Sequence, residues 1–462
     1  MRYRYNKVED VKIAYIGGGS KGWAWGLMSD LAECGDMSGR VALYDIDYDA
    51  AKANEIIGNK FNDLEDAKSK WDYKAVETIG EALAGADAVV ISIMPGTLNE
   101  MGSDIHTPEK YGIYQSVGDT MGPGGIVRAL RTLPMIEEIA KNVEKYCPEA
   151  WVINYTNPMT LCVKALYYTF PQIKAFGCCH EVFGTQKLLK VVVKEAFGEE
   201  VDRTEIKVNP VGVNHFTWLT EANYKNIDLF PYYREFCKKY KEGYDNGRVD
   251  CNWMNNSWYS EEKVKMDLFT RYGYIAAAGD RHLAEFCPGE WYLSSPENVE
   301  SWKFGLTTVE TRIKQLNDRL EKSAALVSGK EQVQIKQTGE EGVEQLRALF
   351  GLCELVTNVN LPNCGQIPNL PLGAVVETNA VFRANHLRPV FAGKIPESIY
   401  PLITRICSEQ ELVAQGIKER NVEKIFEAFA NDALVTCSTE DAKNLFDEMC
   451  ENTKAYLSMY NL

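Results

Sequence analysis

Residues 11–22 read Val-Lys-Ile-Ala-Tyr-Ile-Gly-Gly-Gly-Ser-Lys-Gly, and no other stretch limits the fold as strongly. The run 11–16 is largely apolar, as in a strand buried on both faces. Gly17, Gly19 and Gly22 then fit G-x-G-x-x-G, and a helical stretch follows from about residue 22 to 34. The first glycine permits a tight turn. The second lets backbone approach a pyrophosphate, and the third lets helix and strand pack closely. The helix start offers free N–H groups and the positive end of the helix dipole to a phosphate. Residues 40–44 (RVALY) read as a second strand ending at Asp45. An acid there holds a ribose 2′-OH and disfavours a 2′-phosphate, so NAD⁺ is favoured over NADP⁺, with Asp47 competing for the role. A tight turn without a ligand is the alternative reading.

Strands and helices keep alternating to about residue 180. Residues 87–93, 151–155 and 173–178 read as further strands, and 49–64 and 126–146 as helices. This alternation implies a doubly wound, parallel α/β sheet of Rossmann type over residues 1–200. Beyond it the pattern changes. A strand-like piece at 205–213 meets stretches of helical periodicity at 306–350 (in part), 408–430 and 441–459. Residues 201–462 read as a mixed α+β domain for substrate, metal and oligomerisation.

Composition removes several function classes. The chain has 462 residues, and 50 Lys+Arg against 65 Asp+Glu give a net charge of −15. Scattered positive charge on an acidic chain does not suit nucleic acid, whose phosphates need clustered cations. No apolar run approaches the ~20 residues of a membrane helix. The polar N-terminus lacks the apolar core of a signal peptide. The 13 cysteines form no CxxC pair and are odd in number, which argues against a disulfide framework or a structural zinc site and for the cytoplasm.

Ligands of such sheets bind beyond the C-terminal strand ends, and here those ends carry chemistry. The strand at 151–155 leads into Asn157-Pro158, and the strand at 173–178 into Cys179-His180-Glu181. His215 follows Asn214 near the domain junction, and residues 279–285 read Gly-Asp-Arg-His-Leu-Ala-Glu. Cys179 and His215 can ligate a divalent metal, with Asn157 and Asp119 near enough to help. The plain alternative is a buried thiol and a hydrogen-bonded core histidine. His282 and Glu285 share a helix face, lining a pocket or packing a junction. His106 and His386 read as ordinary. Lys21, Trp23 and Trp25 depart from the small residues usual after a dinucleotide turn.

Together these motifs make the chain resemble glycoside hydrolase family 4. The carriers are Gly17 to Ser20, Leu43 to Asp47, Asp119 to Gly125, Asn154 to Pro158, Cys179-His180, Gly212 to His215, Asn369 to Pro371 and Val376-Glu377. His180 directly after Cys179 looks like the subgroup for unphosphorylated α-glycosides. Residues 177–186 and 279–286 look most like bacterial α-galacturonidases, with α-galactosidases and α-glucuronidases more distant.

The resemblance implies a lactate/malate-dehydrogenase-like architecture and a homodimer or homotetramer. It also implies an NAD⁺- and Mn²⁺-dependent, redox-neutral hydrolysis, which departs from the usual two-carboxylate route. The sugar is oxidised at C3, the C2 proton is removed, the glycosidic oxygen leaves, water adds, and C3 is reduced again. By carry-over Gly17, Gly19, Ser20, Gly22 and Asp45 bind NAD⁺, and Cys179 and His215 hold the metal. His180 donates a proton to the leaving oxygen, and Asp280 is the candidate C2 base, its alternative being a helix cap. Asn157 and Asp119 contact substrate. Arg281 meets the uronate carboxylate, with Arg128 and Arg131 as rivals, because a guanidinium fits a planar carboxylate. Thiolate–imidazole chemistry by itself favours zinc over manganese. The competing functions are a plain NAD-dependent dehydrogenase, which has no use for Cys179, His180 and His215, and a non-enzymatic NAD-binding regulator.

Overall fold

In the computed structural model, which describes residues 1–245 and 260–461, the apolar run becomes the centre of a ten-stranded sheet. Its strand β2 (Lys7–Ile16) follows a short β1 (Arg2–Arg4). Next come β3 (Met37–Tyr44), β4 (Trp71–Val76), β5 (Ala88–Ile91), β6 (Trp151–Asn154) and β7 (Lys174–Gly177). The six strands β4-β3-β2-β5-β6-β7 are parallel in that spatial order. The order reverses at β2, which pairs with β3 on one side and β5 on the other. Such a switch point opens a crevice at the C-terminal ends of the strands. Strand β4 was not anticipated: its exposed-buried alternation (Trp71, Tyr73 and Ala75 inward) is the mark of an edge strand, not of a doubly covered one.

The second half is not a separate sheet alone. A hairpin of β8 (Ile206–Val213) and β9 (Phe216–Tyr224), with β10 (Ile227–Asp228) and β11 (Ile275–Ala276), forms a four-stranded antiparallel sheet. The strands β12 (Leu355–Pro362), β13 (Val375–Arg383) and β14 (His386–Pro389) instead extend the first sheet, β12 running antiparallel to β7 with Asn360 opposite Gly177. The two halves therefore share one hydrogen-bonded surface. Asn379 Nδ2 also donates to the Val208 carbonyl (2.8 Å), tying the second sheet to it.

The helix expected to start near residue 126 begins earlier, at Gly122, and runs Gly122–Tyr146. Its glycines read as loop but serve close packing: a Cβ on Gly125 would stand 2.3 Å from the Thr120 carbonyl carbon. The periodic stretch 408–430 is two helices, Tyr400–Glu419 and Val422–Ala430, parted by Arg420 in the left-handed region and by the Asn421 cap. Nine of the twelve described cysteines are buried, and all twelve are free thiols; Cys251 lies outside the described residues. Among the described residues no helix is long and apolar enough to cross a membrane.

Candidate active site

The glycine turn follows β2. Gly17 has φ +94°, and a Cβ there would lie 2.0 Å from the Ser92 carbonyl oxygen. A Cβ on Gly19 would stand 2.9 Å from Asp45 Oδ2, whose carboxylate accepts the Gly19 N–H at 2.8 Å. The turn is thus a cradle that only glycine fills, with Asp45 at its rim. Asp47 is engaged otherwise, accepting the Ala50 N–H as cap of the helix Tyr48–Lys60. Beneath the turn, fully buried Asn54 donates Nδ2 to the carbonyls of Gly18 (2.7 Å) and Ser20 (3.1 Å) and accepts Trp25 Nε1–H (2.7 Å). Trp25 is therefore structural, whereas the Trp23 ring lies near Tyr155 and His180, at centroid distances of 5.3 and 6.2 Å. Asn54 carried no signal in the sequence, because a helix asparagine 29 to 36 residues from its partners has no motif.

Beyond β6 and β9 three side chains converge. Ligand atoms of Asp119, His215 and His282 all lie within 4.8 Å of one another. His215 sits at the tip of the β8–β9 hairpin with φ +65°, a conformation uncommon outside glycine. Thr120 Oγ1 donates to Asp119 Oδ1 (2.7 Å), so its 3.1 Å contact with His215 Nδ1 must run from Nδ1–H to the hydroxyl. The His215 Nε2 lone pair is then free for a metal. Asn157 Nδ2 donates to Asp119 Oδ2 (3.1 Å), while Asn157 Oδ1 is buried with no partner among the described residues. Arg128 Nε donates to the Asn157 carbonyl at 3.4 Å.

Electrostatics suit a cation site. Burial pushes His215 down to about 3, helped by the neighbouring His282, so its ring is neutral. Burial alone would raise Asp119, but the Arg128 guanidinium and the Thr120 hydroxyl favour its ionised form and hold it well down. The His215 and His282 rings stack at 3.8 Å with 28° between planes. Either imidazole would offer a ring nitrogen to an ion held beside the Asp119 carboxylate.

Cys179 lies outside this three-residue set. Burial drives its thiol well up, Glu377 and Glu181 adding to the effect, and it sits beside Asn214, the residue before His215. Glu377 is itself fully buried, accepting Thr217 Oγ1–H (2.7 Å) and Asn358 Nδ2–H (2.7 Å). His180 opens the helix Glu181–Phe197. Its Nδ1 stands 3.1 Å from Glu340 Oε1 and its Nε2 3.7 Å from Glu181 Oε1. Burial would depress this imidazole, but the Glu340 and Glu181 carboxylates prevail and lift it to about 9. Neither Glu340 nor its loop was singled out from the sequence, since the contact spans 160 residues.

Asp280, expected as the C2 base, has both oxygens on backbone: Val264 N–H at 3.1 Å and Lys265 N–H at 3.0 Å. It caps the preceding helix, Lys263–Tyr272, and this geometry does not carry the base role. Arg131 is also excluded as a rival, being fully buried against Asp104 (Nη1 to Oδ1, 3.0 Å) and the Pro95 carbonyl. Arg281 Nη2 donates to the Ser116 carbonyl (3.1 Å), and Glu285 Oε1 accepts the amides of Val117 (2.7 Å) and Gly118 (2.9 Å). The segment 280–285 is thus stitched to the loop that carries Asp119. A further cation, Arg312 on the helix Val309–Ser328, acts on Asp119 as Arg128 and Arg281 do. It went unnoticed because nothing near it in sequence marks a site.

A dinucleotide cradle beside a metal-ligating cluster at neighbouring strand ends defines an enzyme that brings a cofactor and a cation to one substrate. Residues 12–195 match the family 4 glycosyl hydrolase profile and residues 210–435 its C-terminal domain, and the chain belongs to glycoside hydrolase family 4. It is 60% identical to an α-galacturonidase of Thermoanaerobacterium saccharolyticum over 100% of both chains. It is 50% identical to the Bacillus subtilis α-galacturonidase over 97% of this chain and 99% of that one. The crystal structure of Bacillus subtilis lplD superposes with a TM-score of 0.90 at 50% identity, covering 96% of this chain and 100% of that one. The Thermotoga maritima 6-phospho-β-glucosidase, solved with manganese, NAD⁺ and glucose-6-phosphate, shares the fold at 21% identity and a TM-score of 0.77, over 96% and 99% of the two chains.

Proposed function

We propose that this glycosidase is an α-galacturonidase that uses NAD⁺ and Mn²⁺ and leaves the cofactor unchanged after each turnover. The observation that carries the reading is the group of arginines gathered around Asp119. Three guanidinium groups, of Arg128, Arg281 and Arg312, act on one carboxylate. Burial pushes Glu285 up to about 8 and so leaves it protonated at neutral pH. Buried guanidinium groups beside the cluster suit an anionic sugar, whose planar carboxylate they can hold in two places. The similarity to α-galacturonidases across the whole chain supports the same substrate.

The residues fit both cofactors. Gly17, Gly19, Ser20 and Gly22 would cradle the pyrophosphate, and Asp45 would take the ribose hydroxyls. His215 Nε2 and Cys179 would hold the ion, with the Asp119 carboxylate alongside. A hard carboxylate oxygen in the set shifts the preference from zinc toward manganese. When bound, NAD⁺ supplies reversible oxidation at sugar C3, and the ion supplies Lewis acidity for the oxygens at C2 and C3. The unpartnered Asn157 Oδ1 accepts from a sugar hydroxyl. Arg281 faces the C5 carboxylate, and His180 gives its Nε2 proton to the departing glycosidic oxygen.

The test is to incubate the protein with NAD⁺, Mn²⁺, a reductant and α-linked galacturonides, galactosides and glucuronides. Galacturonic acid release without net NADH is expected. Steady NADH accumulation without cleavage makes the protein a dehydrogenase, and preferred release of galactose or glucuronic acid moves the substrate assignment.

A further inference from the structure

We propose that Glu340 is a positioning residue for the proton donor: its carboxylate holds the Nδ1–H of His180 and so aims Nε2 at the leaving oxygen. The inference rests on the galacturonidase reading above. A carboxylate only accepts, so the 3.1 Å contact fixes a proton on Nδ1. Nε2 then faces Glu181, whose Oε1 lies 3.7 Å from it and 4.0 Å from His282 Nε2. The ring is thereby turned toward the Asp119–His215–His282 cluster. Glu181 is itself fixed, accepting the Gly279 N–H at 2.6 Å.

The loop that presents Glu340 is anchored on all sides. Thr338 gives its N–H (3.1 Å) and Oγ1–H (2.5 Å) to Asp30, on the helix that opens at the dinucleotide turn. Glu341 pairs with Arg203 (2.5 Å), and Gln345 Nε2 reaches Cys178 Sγ (3.6 Å). Gly342 lies so close to Tyr155 that a Cβ would be 2.2 Å from its hydroxyl. Four ties over eight residues hold one carboxylate against one imidazole, while the side chain of His180 is 31% exposed against 10% for Glu340. A donor on a loop needs such support to stay in productive geometry. In the step concerned, the C1–O bond breaks and its electron pair goes to the glycosidic oxygen, which takes the Nε2 proton of the doubly protonated ring and leaves it neutral with its remaining proton on Nδ1, held by Glu340. The water that later adds at C1 returns a proton to the imidazole.

The experiment compares Glu340→Gln and Glu340→Asp with the wild type on digalacturonate and on p-nitrophenyl α-galacturonide. A good leaving group needs little protonation, so kcat on digalacturonate should fall roughly 30- to 100-fold and on the nitrophenyl glycoside less than about threefold. In a His180→Gln background Glu340→Gln should add nothing. Equal losses on both substrates, or a further loss in that background, overturn the proposal and leave the galacturonidase reading intact. If the wild type cleaves no galacturonide, the reading fails by itself. The Glu340 contact is then judged in the resting protein by the His180 Nδ1–H proton signal, whose disappearance in Glu340→Ala supports it and whose persistence overturns it.

Discussion

Thr120 touches both Asp119 and His215 yet ligates nothing itself. It sets the His215 tautomer through one hydroxyl proton, donated to Asp119. Thr120→Ala should therefore weaken Mn²⁺ binding about 10- to 100-fold, the range for outer-shell partners, as read by electron paramagnetic resonance titration of free Mn²⁺. Arg281 is tested by specificity. Arg281→Ala should raise KM for galacturonides far more than for galactosides, and equal effects on both remove it from the carboxylate site. At this scale the sequence was informative where chemistry is local. Cys179 and His180 stand at a strand end and could be picked out in the chain. Asp280 shows the opposite: an acid beside an arginine and a histidine looks reactive, and only the fold reveals that two amides of another helix occupy its oxygens.

Among the elements, the turn after β2 is the most exacting. Gly17 combines φ +94° with a carbonyl oxygen 2.0 Å from any added Cβ, so Gly17→Ala must displace β5 or open the turn. It should abolish measurable NAD⁺ binding by calorimetry, and the protein should still fold if β2 keeps its pairing. This element was fully legible, because glycine spacing reports backbone geometry directly. The segment 280–285 was not. It holds the loop 116–119 through Glu285 and Ser116, more than 160 residues apart in the chain. The edge strand β4 and the added strands β12 to β14 were also missed, since pairing partners are not written in a strand's own residues.

For the whole molecule, buried acids set the response to pH. Burial pushes Asp30 and Asp280 up to about 7 and Glu285 up to about 8. Each binds its proton more tightly folded than unfolded, so stability falls as pH rises through these values. His215, held at about 3, acts in the opposite sense, but only below its unfolded value near ~6.5. His180, lifted to about 9, acts in the same sense as the acids, so the metal-free protein should melt at progressively lower temperature from about pH 6.5 to about pH 9. Glu285→Gln keeps an oxygen for the Val117 and Gly118 amides and should flatten the upper part of that slope in calorimetry. A slope unchanged by the substitution would place the titrating group elsewhere.

The sequence by itself determined the dinucleotide half, because a buried parallel strand, a glycine turn and an acid at the next strand end are all local patterns with a fixed geometry. It also marked the strand ends where the chemistry gathers. Only the tertiary structure decided which of the marked residues meet. The grouping of Asp119 with His215 and His282, the hold of Glu340 on His180, and the diversion of Asp280 and Arg131 into packing all depend on contacts between distant segments. Those contacts are chosen by how the helices and the second sheet close over the strand ends, and no spacing along the chain records that closure.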